Sequence, residues 1–372
     1  MVDRREFIKG ATIASVGLSL GAKAAGLVAS TPSDDRRTIP EACMVDMAVN
    51  GSPLFDTQEA LKGGLQAIVY DLPIYPRTFD NAVHSLARLS PLFESKTAAI
   101  KKILKAKDFA STGDEKKVGF VLACQDASIL DASTASVNDY NLQNLRLFYE
   151  LGLRVLQLTH NERNSLGDSF RERSNAGLSE LGLMVVGAMN DMGMIIDLSH
   201  CGDKTTEDAI AASKMPCAIT HAGCRAVTLS PRNKTDDQIR ALAVKGGVFG
   251  VYSMSLWLTE ASTTSMEDFL AHINHAVKVA GIDHVGFGSD GAPLGNSSFE
   301  EEELTGMQAY AKRNLGKPGA ERVPSHIRIP ELNGPDRLSK LAAALAKNGY
   351  KAPEIDKLCG GNFVRLFEEI CG

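Results

Sequence analysis

Two short runs decide how this chain is read: Gly193-Met-Ile-Ile-Asp-Leu-Ser-His200 and Pro216-Cys-Ala-Ile-Thr-His221. Each is apolar, carries β-branched residues and ends in histidine. Between them, residues 202–213 start with Asp and Thr and carry apolar residues at helical spacing, which predicts a helix. Strand, helix and strand in so short a length make a βαβ unit, so the two strands are parallel neighbours. Both histidines then stand at the carboxyl ends of adjacent strands and face one mouth, where α/β folds build their sites. One strand-end histidine is commonly a satisfied core residue. Two in matched positions point to a metal or catalytic pair.

Working outward, the pattern repeats. Strand-like runs lie at 42–48, 65–71, 117–125, 154–160, 193–200, 216–221, 247–252 and 284–290. Helical runs at 79–106, 140–151, 179–192, 236–245 and 266–280 separate most of them, and two more follow near 336–348 and 353–370. This alternation predicts an α/β fold, a single (β/α)8 TIM barrel with C-terminal helices; a doubly wound open sheet is the alternative. In a barrel, Asp46, Gln125, His160, His200, His221 and Asp290 end their strands at one mouth. Strand interiors rarely carry so polar a set, so chemistry is the expected reason. Gly286-Phe-Gly-Ser-Asp-Gly291 fits the dinucleotide fingerprint in letters only, because no helix opens after it and no ribose-binding acid is placed.

The 372 residues are 44% hydrophobic and 23% charged, enough for a large core, and the formal charge of −5 offers nucleic acid no footprint. Seven cysteines occur without a C-x-x-C pair, which supports neither a zinc knuckle nor a thioredoxin-like motif. Near the start, Arg4-Arg5 precede Phe7, a weakly apolar stretch from Gly10 to Gly21 and Ala22-Lys-Ala24. That is the form of a twin-arginine signal. The expected division is therefore residues 1–29 as signal and start of linker, and 30–372 as the barrel. The expected location is periplasmic or otherwise exported, in a bacterium, with the twin-arginine export machinery as a partner. No other run reaches the length of a membrane span.

Taken together, Leu158-Thr-His-Asn161 with Asn164, Asp197-Leu-Ser-His200, Thr220-His221, Arg232-Asn233 followed by Asp236-Asp237, Gly288-Ser-Asp290 and Gly360-Gly-Asn-Phe-Val-Arg365 resemble the renal (membrane) dipeptidase family of zinc peptidases. The likeness covers most of the chain beyond the signal. It implies a metallo-dependent hydrolase barrel that cleaves dipeptides and holds two zinc ions. It implies that His200 and His221 bind metal, that His160 and Arg232, with Asn161 beside them, hold the substrate and its tetrahedral intermediate, and that Asp290 moves protons. These residue types suit the chemistry. Neutral imidazoles suit zinc, an arginine fork suits a carboxylate, and a carboxylate can take the proton of attacking water.

One part of the pattern departs. The family's first strand carries Asp-x-His-x-Asp, whose last two named residues bind the first metal, whereas this chain reads Asp46-Met-Ala-Val-Asn50. The bridging glutamate is replaced by Gln125, with Asp126 next to it. Alanine cannot ligate, and amides offer only a neutral oxygen. The expectation is zinc, at most one ion per chain, on His200 and His221 with Gln125, Asp290 or water recruited. The leading functional expectation is a dipeptidase-like hydrolase acting on small peptides, with a homodimer compatible with the sequence. A non-catalytic peptide- or metabolite-binding barrel, and a hydrolase of another amide or a lactone, are the rivals.

Overall fold

The structure is a computed structural model. It describes residues 43–95, 99–131, 142–261, 263–295 and 325–372, with scattered positions from 301 to 312. The expected export signal lies outside the described residues. The strands are β1 Val45–Val49, β2 Ala67–Asp71, β3 Ile100–Lys102, β4 Val118–Cys124, β5 Leu153–Gln157, β6 Ile195–Asp197, β7 Ala218–Ala222, β8 Val248–Val251 and β9 Val285–Phe287. The helices are α1 Thr57–Lys62, α2 Phe79–Glu94, α3 Lys107–Asp114, α4 Gln143–Glu150, α5 Glu180–Met192, α6 Asp203–Ala212, α7 Asp236–Val244, α8 Met266–Ala280, α9 Arg337–Lys347, α10 Ala352–Asp356 and α11 Asn362–Cys371.

All the strand pairs are parallel, in the order β1-β2-β4-β5-β6-β7-β8-β9, with β3 added beside β4. The ring nearly closes between β9 and β1, where Asp290 N–H donates to Ala48 O at 2.9 Å and Asn50 N–H to Gly291 O at 2.9 Å. This is the expected eight-stranded barrel, not the doubly wound sheet. The strands are buried on both faces, because side chains meet the barrel axis on one face and helices on the other. Such strands read as unbroken apolar runs, which is why the sequence pattern found them.

The inward positions of the strands form one cluster: Val45, Met47, Val69, Val121, Val155 and Val248 pack with Phe363, Leu366 and Phe367 of α11. The C-terminal helix therefore plugs the end of the barrel opposite the mouth. The helical run expected over 79–106 is corrected. α2 stops at Glu94, three residues past Pro91, and β3 occupies Ile100–Lys102. Pro91 is tolerated near the end of α2, but its ring and missing N–H weaken the preceding turn. Three residues are too few for a periodic pattern to betray a strand.

Candidate active site

His200 follows β6 and His221 lies in β7, and their Nε2 atoms face one another at 3.0 Å. The outer nitrogens decide what those inner atoms carry. Thr220 Oγ1 donates to Asp197 Oδ2 at 2.7 Å, so it accepts from His221 Nδ1 at 2.8 Å. His200 Nδ1 stands 3.1 Å from Asn161 Oδ1, which can only accept. With the ring protons assigned to these outer nitrogens, the two Nε2 lone pairs face one another across the gap. That arrangement repels unless a cation lies between them. Two nitrogens on one tetrahedral zinc, at about 2.0–2.1 Å each, lie roughly 3.3 Å apart. Burial, then the positive charge of Arg232, holds both imidazoles well below their ordinary pKa, in the neutral form a metal needs.

His160 follows β5 and stacks on His200, ring centroids 4.4 Å apart and planes at 25°. Burial first, then Arg77, Arg232 and Arg171, keep it neutral as well. Arg232 is fully buried. Its Nη1 donates to Ser199 O at 2.6 Å and its Nη2 to His221 O at 2.9 Å, while Nε has no partner among the described residues. Phe170, Tyr252 and Trp257 surround the guanidinium, with centroids at 5.6, 5.3 and 5.7 Å. The fork expected to grip a substrate carboxylate is thus turned onto the backbone that carries the two histidines. Asp290 ends the barrel in a left-handed conformation, φ 55°, and its Oδ1 accepts from Asn50 Nδ2 at 3.3 Å. His160, His200, His221, Arg232 and Asp290 therefore belong to one mouth, while Asn161 acts through the ring of His200.

Asp46 is a correction: it does not face the mouth. It is fully buried, paired with Arg337 Nε at 2.6 Å, and accepts from Ser289 N–H at 2.8 Å. Asp126 is occupied by Ser128 N–H at 2.9 Å and Asn164 Nδ2 at 2.9 Å, and caps the short 3-10 turn Ala127–Leu130. Asp71, which the strand-end rule should have included because it closes β2 as Gln125 follows β4, is held by Arg77 at 3.3 and 3.0 Å. It also accepts from Gln125 N–H at 2.8 Å. Among the described residues no group of three or more His, Cys, Asp and Glu is placed to hold a metal. The residues fit one dication on two imidazoles, with amide oxygen, carboxylate or water completing it, and do not fit two.

A family model described as membrane dipeptidase (peptidase family M19) matches residues 52–305. Dipeptidase verJ of Clonostachys rogersoniana is 37% identical over 148 residues, 39% of this chain and 38% of the relative. An amidohydrolase from Pseudomonas aeruginosa superposes with a TM-score of 0.76 at 21% identity, covering 90% of this chain and 98% of that one. A metallopeptidase from Rhodobacter sphaeroides, liganded with a phosphinate mimic of the dipeptide L-Ala-D-Ala, gives 0.69 at 20% identity, covering 88% and 99%. These two structures share the fold. The chain spans less than half the length of the curated relatives it matches. The family match runs through more than half of the chain, from the loop before α1 past the end of β9, and makes the chain a member of the membrane dipeptidase family, peptidase family M19.

Proposed function

We propose that the chain is an exported hydrolase of dipeptides or closely related amides that works with at most one divalent metal, zinc by its imidazole ligands. The observation that carries this is the pair of buried Nε2 atoms of His200 and His221, facing one another at 3.0 Å. Bound there, zinc supplies Lewis acidity to a substrate carbonyl. The chain's own residues do the rest. Arg232 fixes the backbone of both histidines and places a permanent positive charge beside them, where negative charge develops on the attacked oxygen. His160, neutral and stacked on His200, offers a ring nitrogen to that oxygen. Asp290 takes a proton from attacking water and returns it to the leaving amine. Phe170 and Trp257 keep water from the guanidinium.

The test is turnover of a dipeptide panel, L-Ala-D-Ala included, by the zinc-dialysed protein. Release of free amino acids that disappears in Asp290→Asn supports the reading; no turnover of any dipeptide contradicts it. Ala48, Asn50 and Gln125 favour a second reading, a barrel that binds peptide-like molecules without cleaving them. It predicts saturable binding of the same panel with no product. Export is tested separately: replacing Arg4 and Arg5 by Lys should retain the protein in the cytoplasm, and an unchanged exported fraction contradicts it.

A further inference from the structure

Beneath the mouth lies a cavity of about 10 Å³, room for a single water or one ligand atom. Its floor is apolar, with Met47, Val69 and Val155, and its walls carry Ala48, Asp71, Gln125, Asp197 and Thr220. Two carboxylates line it, and both are already engaged. Asp71 is bracketed by Arg77 and by Gln125 N–H. Asp197 accepts from the Ser199 hydroxyl at 2.6 Å, from Thr220 N–H at 3.0 Å and from Thr220 Oγ1 at 2.7 Å. A cation placed here would find no uncommitted negative charge and would meet the guanidinium of Arg77.

Gln125 is different. It is 8% exposed, and its carboxamide makes no hydrogen bond to a described residue. Its backbone is fixed on both sides, by the N–H bond to Asp71 and by Gln157 Nε2, which donates to Gln125 O at 2.6 Å. A rigid backbone thus holds Gln125 in the lining of a space of one atom, its amide bonded to no described residue and the two neighbouring carboxylates already engaged. An amide so placed has N–H groups available to donate to an oxygen acceptor. Ala48 keeps the space open, since no side chain extends from it beyond the β-carbon.

We propose that Gln125 and the cavity beside it form a specificity pocket that receives the oxygen of an uncharged substrate carbonyl, and that Gln125 is not a metal ligand. The amide N–H of Gln125 donates to that oxygen. The pocket therefore selects amides, esters and lactones and disfavours a second cation. This rests on the reading of the mouth as the substrate site.

The experiment uses the full chain after zinc dialysis, with Gln125→Ala and the near-isosteric Gln125→Met. Two readouts are taken: zinc per chain, and calorimetric binding of L-Ala-D-Ala, hydantoin and γ-butyrolactone. The expected result is unchanged zinc content in both variants and a three- to tenfold weaker affinity for whichever probe the wild-type protein binds. Loss of zinc in either variant overturns the inference, because Gln125 would then be a ligand. Unchanged affinity for every probe, or no probe bound by the wild-type protein, overturns it as well. Binding of hydantoin or the lactone but not the dipeptide, with the same dependence on Gln125, upholds the inference and contradicts the dipeptide reading alone.

Discussion

Arg232 carries a charge into a part of the mouth that water does not reach. Burial lowers its pKa, yet a guanidinium stays protonated at any ordinary pH. Its two terminal nitrogens satisfy the carbonyls of Ser199 and His221, one residue before the first histidine and on the second. Removing it leaves both carbonyls buried without partners, at about 1–3 kcal/mol each. Arg232→Ala should therefore lose roughly 3–5 kcal/mol of unfolding free energy in urea and bind zinc more weakly, because the two imidazoles lose their anchor. Arg232→Lys can satisfy one carbonyl well and should recover less than half of the loss. Stability of Arg232→Ala within about 1 kcal/mol of wild type would contradict this role. The residue type and its neighbourhood were legible in the sequence. Its orientation was not, because nothing in Arg232-Asn233 says that three aromatic rings from 170, 252 and 257 close around it.

The loops of the mouth are held by the helices behind them, and His272 of α8 is the clearest case. Its Nδ1 accepts from Cys224 N–H at 2.9 Å, and its Nε2 donates to Leu258 O at 2.9 Å. One ring thereby ties the loop after β7 to the turn after β8. Burial pushes His272 down to about 4, outweighing the bond to Leu258, with His275 adding a little and Asp268 opposing. The unfolded chain protonates this residue near 6.5 and the folded chain only near 4, so the unfolded state binds more protons between them. The histidine's contribution is complete above about pH 6.5 and is lost progressively as pH falls towards 4. Urea unfolding at pH 7 and pH 5 should show a loss about 1–2 kcal/mol larger for wild type than for His272→Gln, which keeps an acceptor and a donor but does not titrate. Equal losses in the two proteins would contradict the assignment. At this scale the strands and most helices were readable from apolar runs and spacing, and the structure adds the Thr235–Gln238 and Ser265–Asp268 capping boxes that open α7 and α8. The end of α2 and the existence of β3 were not, because they depend on pairing with β4 rather than on local pattern.

Across the whole molecule the barrel is closed by contacts between residues far apart in the chain. Asp46 and Arg337 are separated by 291 positions and form an ion pair with side chains 0% and 1% exposed. No spacing rule connects them, which is why Asp46 reads as a mouth residue from its strand position alone. Arg337→Ala leaves a carboxylate buried and unpaired, and should cost about 3–5 kcal/mol. The double variant Asp46→Leu, Arg337→Met should cost less than that single change, and a larger cost in the double variant would contradict the account. Asp46 is committed to closing the ring, Asp126 to a cap and Asp71 to Arg77, and the proposal of a single dication rests on these commitments. The most direct test is zinc per chain by elemental analysis after equilibrium dialysis at micromolar free zinc, on wild type, His200→Ala and Asn50→Ala. The account predicts at most one equivalent in wild type, none in His200→Ala and no change in Asn50→Ala; two tightly held equivalents in the wild-type protein would contradict it.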